Sequence, residues 1–306
     1  MKNILISILL LLLFVMSIVC KEAVITGAAE GLLLWYQTLL PTLLPVMILT
    51  KVIMQTDSLF LISNLLSPIF HFFPGVSTYA GFAVVAGFFC GYPTGAKIIA
   101  DLINSNKITE KEGSYLLSFC NNISPMFISG YLLTNYISEK SLHLPFFLIL
   151  LTTPLLCSQL FRINQRNYTS RSSLDTTVNT KIRLTLDECM MDSFESIVMV
   201  GLYVMIFSIF IKYLSLIPLP DSPQKTFIFS LLEITNGLKA ARTAHLPKII
   251  SYSYYVFLTS FGGICAIFQT ASMIRNTNLS ILSYIIKKLI IAIITSFVCY
   301  VYLLMN

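Results

Sequence analysis

The sequence is poor in charge. Lysine, arginine, aspartate and glutamate fill 11% of its 306 positions, where a soluble globular domain carries about 25%. No stretch between the apolar runs is long enough for a soluble domain, so one membrane domain is expected. Histidine is scarce as well: His71, His143 and His245 are dispersed, which argues against a metal site. The seven cysteines are scattered and form no C-x-x-C pair, so neither a zinc site nor a disulfide framework is suggested. No G-x-S-x-G, H-E-x-x-H or phosphate-binding glycine loop is present, the strings expected of hydrolase, metalloprotease and nucleotide sites. Ser118 has no histidine nearby in sequence. The chain is read as no enzyme, with no catalytic residue, no metal and no cofactor. Its net charge of +6 comes without a basic–aromatic stripe or a soluble basic tail. No nucleic-acid partner is expected, and the charge bears instead on which loops face the cytoplasm.

What is present is apolar. Hydrophobic residues make up 56% and the mean hydropathy is +0.81, so the first partner is a lipid bilayer. Residues 1–24 read as an N-terminal transmembrane helix. A signal peptide is the alternative, but no small-x-small cleavage site follows, and Val19 precedes Cys20 where a lipoprotein site wants a small residue. Further spans are expected at 31–55, interrupted by Pro41 and Pro45, and at 145–161, 194–217 and 280–304. Residues 59–73 read as an interfacial amphipathic segment. Residues 78–104 consist of two apolar halves, each too short to cross, around the GYPTG turn. A re-entrant hairpin follows, broken by Pro93 and the glycines. A second hairpin is expected at 226–245 around TNG. The spans at 111–134 and 251–274 are broken, the first by NNISP.

Two polar islands match at one offset. GYPTGAK (91–97) and SFCNNISP (118–125) lie 142 positions ahead of LEITNGLK (232–239) and SFGGICAIFQT (260–270), give or take the ends of each string. The offset superposes Gly95 on Gly237, Lys97 on Lys239, Leu116 on Leu258, Ser118 on Ser260 and Phe119 on Phe261, without a gap. Broken segments at corresponding places in two halves point to a transporter's binding site. The chain therefore divides into repeats at 25–161 and 193–306 around a basic loop at 162–192. The expected fold is all-α, with two re-entrant hairpins and seven to eight transmembrane helices. With both hairpins re-entrant, seven helices cross and the halves are inverted. Twelve basic residues, including Lys51, Lys287, Lys288 and the five of the central loop, fall on one side and six on the other. Positive-inside then puts the N-terminus in the cytoplasm.

Several side chains in these islands suit a polar solute. Lys97 follows the first break, with Asp101 four residues on and on the same helix face. It is either a cation lining a cavity, as intramembrane charges often are, or half of a local ion pair. Lys239 occupies the equivalent place, and two such ammonium groups would suit a compact dianion. Glu233 is the only acid in the second hairpin; it is read as a partner of Lys239, a proton relay or a structural anchor. Asn121, Asn122 and Ser124 precede Pro125, whose missing N–H frees carbonyls one turn back. Together they make a cradle or an interhelical adhesive. Gln269 lies near the matching place in the second half. The breaks themselves are assigned to Gly91, Tyr92, Pro93, Gly95 and Pro125, and to Gly237, Gly262 and Gly263.

GYPTGAK followed by SFCNNISPMFISG resembles the sporulation integral membrane protein YlbJ family, which carries the nucleoside-recognition Gate domain. The family strings map onto Gly91, Tyr92, Pro93, Gly95, Ala96 and Lys97, and onto Ser118, Phe119, Asn121 and Pro125. The resemblance covers roughly residues 25–275. It implies a polytopic membrane protein of endospore formers, related to hairpin-containing nucleoside permeases. The role it implies is moving dipicolinate across the membrane around the forespore, in support of cortex formation. A nucleoside or nucleobase permease is the alternative. A non-transporting assembly protein, working with other sporulation membrane proteins or as a homo-oligomer, is the alternative of another class. This chain departs from the family in its short central loop and short tail.

Overall fold

The computed structural model describes residues 2–70, 77–162, 184–216, 223–244 and 246–306. Most of the expected loop at 162–192, the end of the interfacial segment (71–73) and position 245 lie outside them. Among the described residues all regular structure is helical.

Helix α1 (Lys2–Val19) leads into α2 (Lys21–Leu34), a π turn at Trp35–Leu39 and α3 (Leu40–Gln55). The π turn stands directly before Pro41, whose missing N–H would interrupt a regular ladder. Instead of a span opening at 31, one helical stretch of 35 residues runs from Lys21 to Gln55. Helix α4 (Ser58–Phe70) follows. Then come α5 (Thr78–Cys90) and α6 (Thr94–Asn104), packed against each other as a helical hairpin. Helix α7 (Glu110–Cys120) starts on Thr109, whose hydroxyl accepts from the Glu112 N–H at 3.2 Å, the usual N-cap geometry. It ends at the Asn121–Ser124 break. Helix α8 (Pro125–Phe127) restarts the chain with Ser124 as its N-cap and proline at N1. A second π turn (Ile128–Leu133) carries it into α9 (Thr134–Tyr136).

Helix α10 (His143–Arg162) closes the first half. The second contains α11 (Leu186–Leu216), the paired α12 (Pro223–Leu232) and α13 (Ile234–Thr243), then α14 (Lys248–Phe261), α15 (Gly263–Met273) and α16 (Ile281–Met305). Residues 186–192, expected in the central loop, form the first turns of α11. Cys90 and Leu232, which end the first helix of each hairpin, are 142 positions apart. The next breaks, after Cys120 and Phe261, are 141 apart.

Among the described residues, five stretches are long and apolar enough to cross a membrane: Lys21–Gln55, Lys140–Phe161, Leu186–Leu216, Lys248–Met273 and Ile281–Met305. The expectation of seven to eight also counted α1 and the broken stretch 111–134. Large apolar side chains such as Phe14, Leu156, Leu202 and Phe297 are exposed on the outside. A surface of that kind suits hydrocarbon rather than water. This is a helical membrane protein, in which helices satisfy most backbone groups internally and the breaks must find partners elsewhere in the protein. One apolar cluster gathers Ile99, Leu116 and Phe119 with Ile197 and Ala292. Another joins Ile128, Leu132 and Phe146 to Leu238, Val256 and Cys299. Residues of both halves share each cluster.

Helix α2 packs along α11. Gly27 and Gly31, one turn apart, let the two backbones approach. A Cβ on Gly31 would lie 2.6 Å from the Met205 Cα, and one on Gly27 would lie 2.8 Å from the Ile209 Cα. Small residues at this spacing drive helix association where lipid removes the hydrophobic force. Glu30 and Lys212 add an ion pair at 2.6 Å.

Candidate functional site

The first-half hairpin turns at 91–93. Gly91 has φ +76°, and a Cβ there would also lie 2.7 Å from the Ser124 amide nitrogen. Glycine is thus required twice, for conformation and for approach. Tyr92 N–H donates to the Asn122 carbonyl at 2.7 Å. Ala96 N–H, in the first turn of α6, donates to Asn121 Oδ1 at 3.2 Å. The hairpin therefore satisfies its own broken backbone on the break between α7 and α8, as a buried discontinuity must.

The second half meets the same place. Asn121 Nδ2 donates to Thr270 Oγ1 of α15 at 2.9 Å and to the Tyr284 hydroxyl of α16 at 3.0 Å. Gly262, at φ +85°, sits against the Tyr92 ring, so that a Cβ would lie 3.2 Å from its Cζ. Gly263 approaches the carbonyls of Leu231 and Leu232 at the tip of the second hairpin. The α14–α15 break thus touches both hairpin tips.

Lys288 completes this centre. Its side chain is 1% exposed. Nζ donates to the Asn122 Oδ1 at 2.6 Å and to the Asn121 carbonyl at 3.0 Å, and it lies 5.8 Å from the centroid of the Tyr92 ring. Asn122 Nδ2 turns back onto the Phe119 carbonyl. Lys288 was counted among the loop charges of the N-terminal side; it is instead inside α16 and turned into the bundle. Lys51, counted likewise, is 8% exposed within α3. Removing both leaves the sign of the basic bias unchanged.

The other expected residues are distributed as follows. Ser124 caps α8. Gln269 is buried on α15 and donates to the Cys265 Sγ at 3.2 Å. Glu233, 5% exposed, caps α13: it accepts from the Thr235 N–H (3.0 Å) and hydroxyl (2.5 Å) and from the Asn236 N–H and Nδ2 (both 2.9 Å). Four donors and a helix N-terminus hold this carboxylate, so of the readings offered for it the anchor is the one with contacts. Lys239 is exposed. Gly237 lets α13 lie on α12, with Ser230 O 2.6 Å from where a Cβ would be.

Lys97 joins a different group. It lies 3.5 Å from Asp101 and 3.1 Å from Asp192, while Lys51 lies 3.0 Å from each aspartate. These four side chains line a cavity of about 10 Å³, room for about one water. The structure does not bring Lys97 and Lys239 together around one cavity: Lys97 is held by aspartates that Lys239 does not share. Spacing found Asp101, one turn away. It did not find Lys51, Asp192 or Lys288, which arrive from α3, α11 and α16. A signal for Lys288 did exist: Tyr284, Lys288, Ile291, Ala292, Thr295 and Cys299 recur at helical spacing, and all are buried.

The chain is 22% identical over 309 aligned residues to the sporulation integral membrane protein YlbJ of Bacillus subtilis (strain 168). The similarity covers 88% of this chain and 75% of that protein. It supports the family resemblance that the strings at 91–97 and 118–125 carry. No family model matches, and no solved structure matches.

Proposed function

We infer that this sporulation-type integral membrane protein is a transporter or channel for a small organic anion. By the resemblance, the anion is dipicolinate and the membrane is the one around the forespore. The observation that carries the reading is the convergence of helix breaks. The 91–93 turn, the 121–124 turn and Gly262 meet in a buried polar centre inside a protein whose outer surface is apolar. Discontinuous helices at matching places in two halves form the solute sites of many secondary transporters, because their free backbone groups and helix ends can hold a polar solute without water. The 142-residue match of the hairpin ends favours a repeat at 25–161 and 193–306, the short hairpin helices favour re-entry over crossing, and the basic bias favours an N-terminus in the cytoplasm.

An assembly protein would carry its recognition residues on loops, whereas the polar residues here converge in the interior. A nucleoside permease would use the same centre. Uptake of labelled dipicolinate and labelled uridine into vesicles containing the purified protein separates these readings. Dipicolinate flux above that of empty vesicles is expected. Uridine flux without dipicolinate flux identifies the permease, and no flux of either by folded protein overturns transport.

A further inference from the structure

We propose that Lys288 and Tyr92 together form the carboxylate-binding pair of this protein. The inference rests on the transport reading for its biological use, and it names what that reading leaves open: the two side chains that would hold a carboxylate.

The argument starts from two deficits. Lys288 is almost fully buried, and its ammonium donates only to neutral oxygens, those of Asn121 and Asn122. Among the described residues no carboxylate forms an ion pair with it. Glu233, the acid buried at the neighbouring hairpin tip, is saturated by four donors of its own helix. A buried charge without a counter-ion is costly. The second deficit is the Tyr92 hydroxyl, which is buried and has no hydrogen-bond partner among the described residues. A buried unsatisfied donor is costly as well and calls for an explanation.

The two deficits are adjacent, with the ammonium 5.8 Å from the ring of the same tyrosine. One carboxylate removes both. One oxygen replaces Asn122 Oδ1 on Lys288, and the other accepts from the Tyr92 hydroxyl. The Asn121 carbonyl and the Asn122 carboxamide hold the ammonium where an anion would. The Asn122 contact is made by a side chain, so an incoming oxygen can take its place by rotation of that carboxamide while the backbone contacts of the 121–124 turn stay in place. Tyr92 itself lies on the hairpin turn, with Gly262 of the second half against its ring. A ligand held there touches helix breaks of both halves, which is where a transported solute belongs.

The test is binding to the purified protein in detergent, read by calorimetry, with dipicolinate and its uncharged diamide as probes. The wild type is expected to bind the dicarboxylate more tightly than the diamide. Lys288→Gln should weaken dicarboxylate binding by about tenfold to a hundredfold and diamide binding by much less, so that the preference for the dicarboxylate narrows, which a merely structural role would not do. Tyr92→Phe keeps the ring and should weaken the dicarboxylate by about fivefold to tenfold. Should Lys288→Gln fail to fold, Tyr92→Phe decides alone. Wild-type affinity in Tyr92→Phe, or a wild type that binds the diamide as well as the dicarboxylate, overturns the pair. The expected binding pattern without flux in vesicles removes the transport reading and leaves the pair standing.

Discussion

Lys97 Nζ lies 3.1 Å from Asp192 Oδ2, which ties the first-half hairpin helix α6 to α11 of the second half across ninety-five positions of sequence. Lys51 lies 3.0 Å from Asp192 and from Asp101, so two lysines and two aspartates sum to zero charge. Such a group is a fastening between elements. A free cation for a solute is not left over.

The fastening is testable by removing one charge. Asp192→Asn leaves two lysines facing one aspartate and should cost about 1–3 kcal/mol, less than a fully buried pair because the Asp192 side chain is 33% exposed. Removing Lys97 as well, in Lys97→Met/Asp192→Asn, should recover part of that loss. Thermal midpoints in detergent of the wild type, both single variants (Asp192→Asn and Lys97→Met) and the double variant give the coupling. A coupling below about 0.3 kcal/mol, the level of independent sites, would remove the network from the account.

Gly31 should be intolerant of any side chain. The position of its absent Cβ is 2.6 Å from the Met205 Cα, a backbone atom that cannot swing away. Gly31→Ala should cost about 1–3 kcal/mol through overpacking. Gly31→Leu should leave little folded protein. Gly130→Ala is the control, because nothing lies within 4 Å of that Cβ position. Equal thermal midpoints for the two alanine variants would mean that α2 and α11 do not pack this way.

Glu233 is expected to act through structure. Glu233→Ala strips the cap from α13 and orphans the buried Thr235 N–H and the part-buried Asn236 N–H, at a cost of about 1–3 kcal/mol. Glu233→Gln keeps an acceptor and should retain most of the stability. The measurement is thermal stability alongside the pH dependence of flux. A stable Glu233→Gln variant that loses only proton-driven flux would make Glu233 a relay instead.

Outside the spans, Glu139 accepts from Lys248 at 2.7 Å and from the Tyr252 hydroxyl at 2.6 Å. The Lys248 hydrogen bond, and then that of Tyr252, hold its carboxyl below the ordinary value of 4.5. A depressed folded-state pKa contributes stability above the unfolded value and loses it as pH falls through the folded one. The thermal midpoint of Glu139→Gln should therefore lie slightly below wild type at neutral pH, and the gap should close below pH 4.5. The effect is small because the pair is exposed. A gap that persists or widens in acid contradicts the linkage.

The membrane class and the places where helices break were legible from residues alone, because both are local properties. Scarce charge and long apolar runs do not depend on neighbours far along the chain. Pro93 and Pro125 lack a donor wherever they sit, and Gly91 and Gly262 admit positive φ on their own. Hence the hairpin ends at Cys90 and Leu232 fall where the 142-residue offset puts them. Which polar groups meet was decided only by tertiary packing. Lys287 and Lys288 are neighbours in sequence and about 100° apart around α16. The rotation of that helix against α7 sends Lys288 into the centre with Asn121 and Asn122, and leaves Lys287 against the Ser114 carbonyl. Lys51 reaches Asp101 for the same reason, through the roll of α3 on α6. A helix's spacing says which residues share a face; only the neighbouring helices fix where that face points.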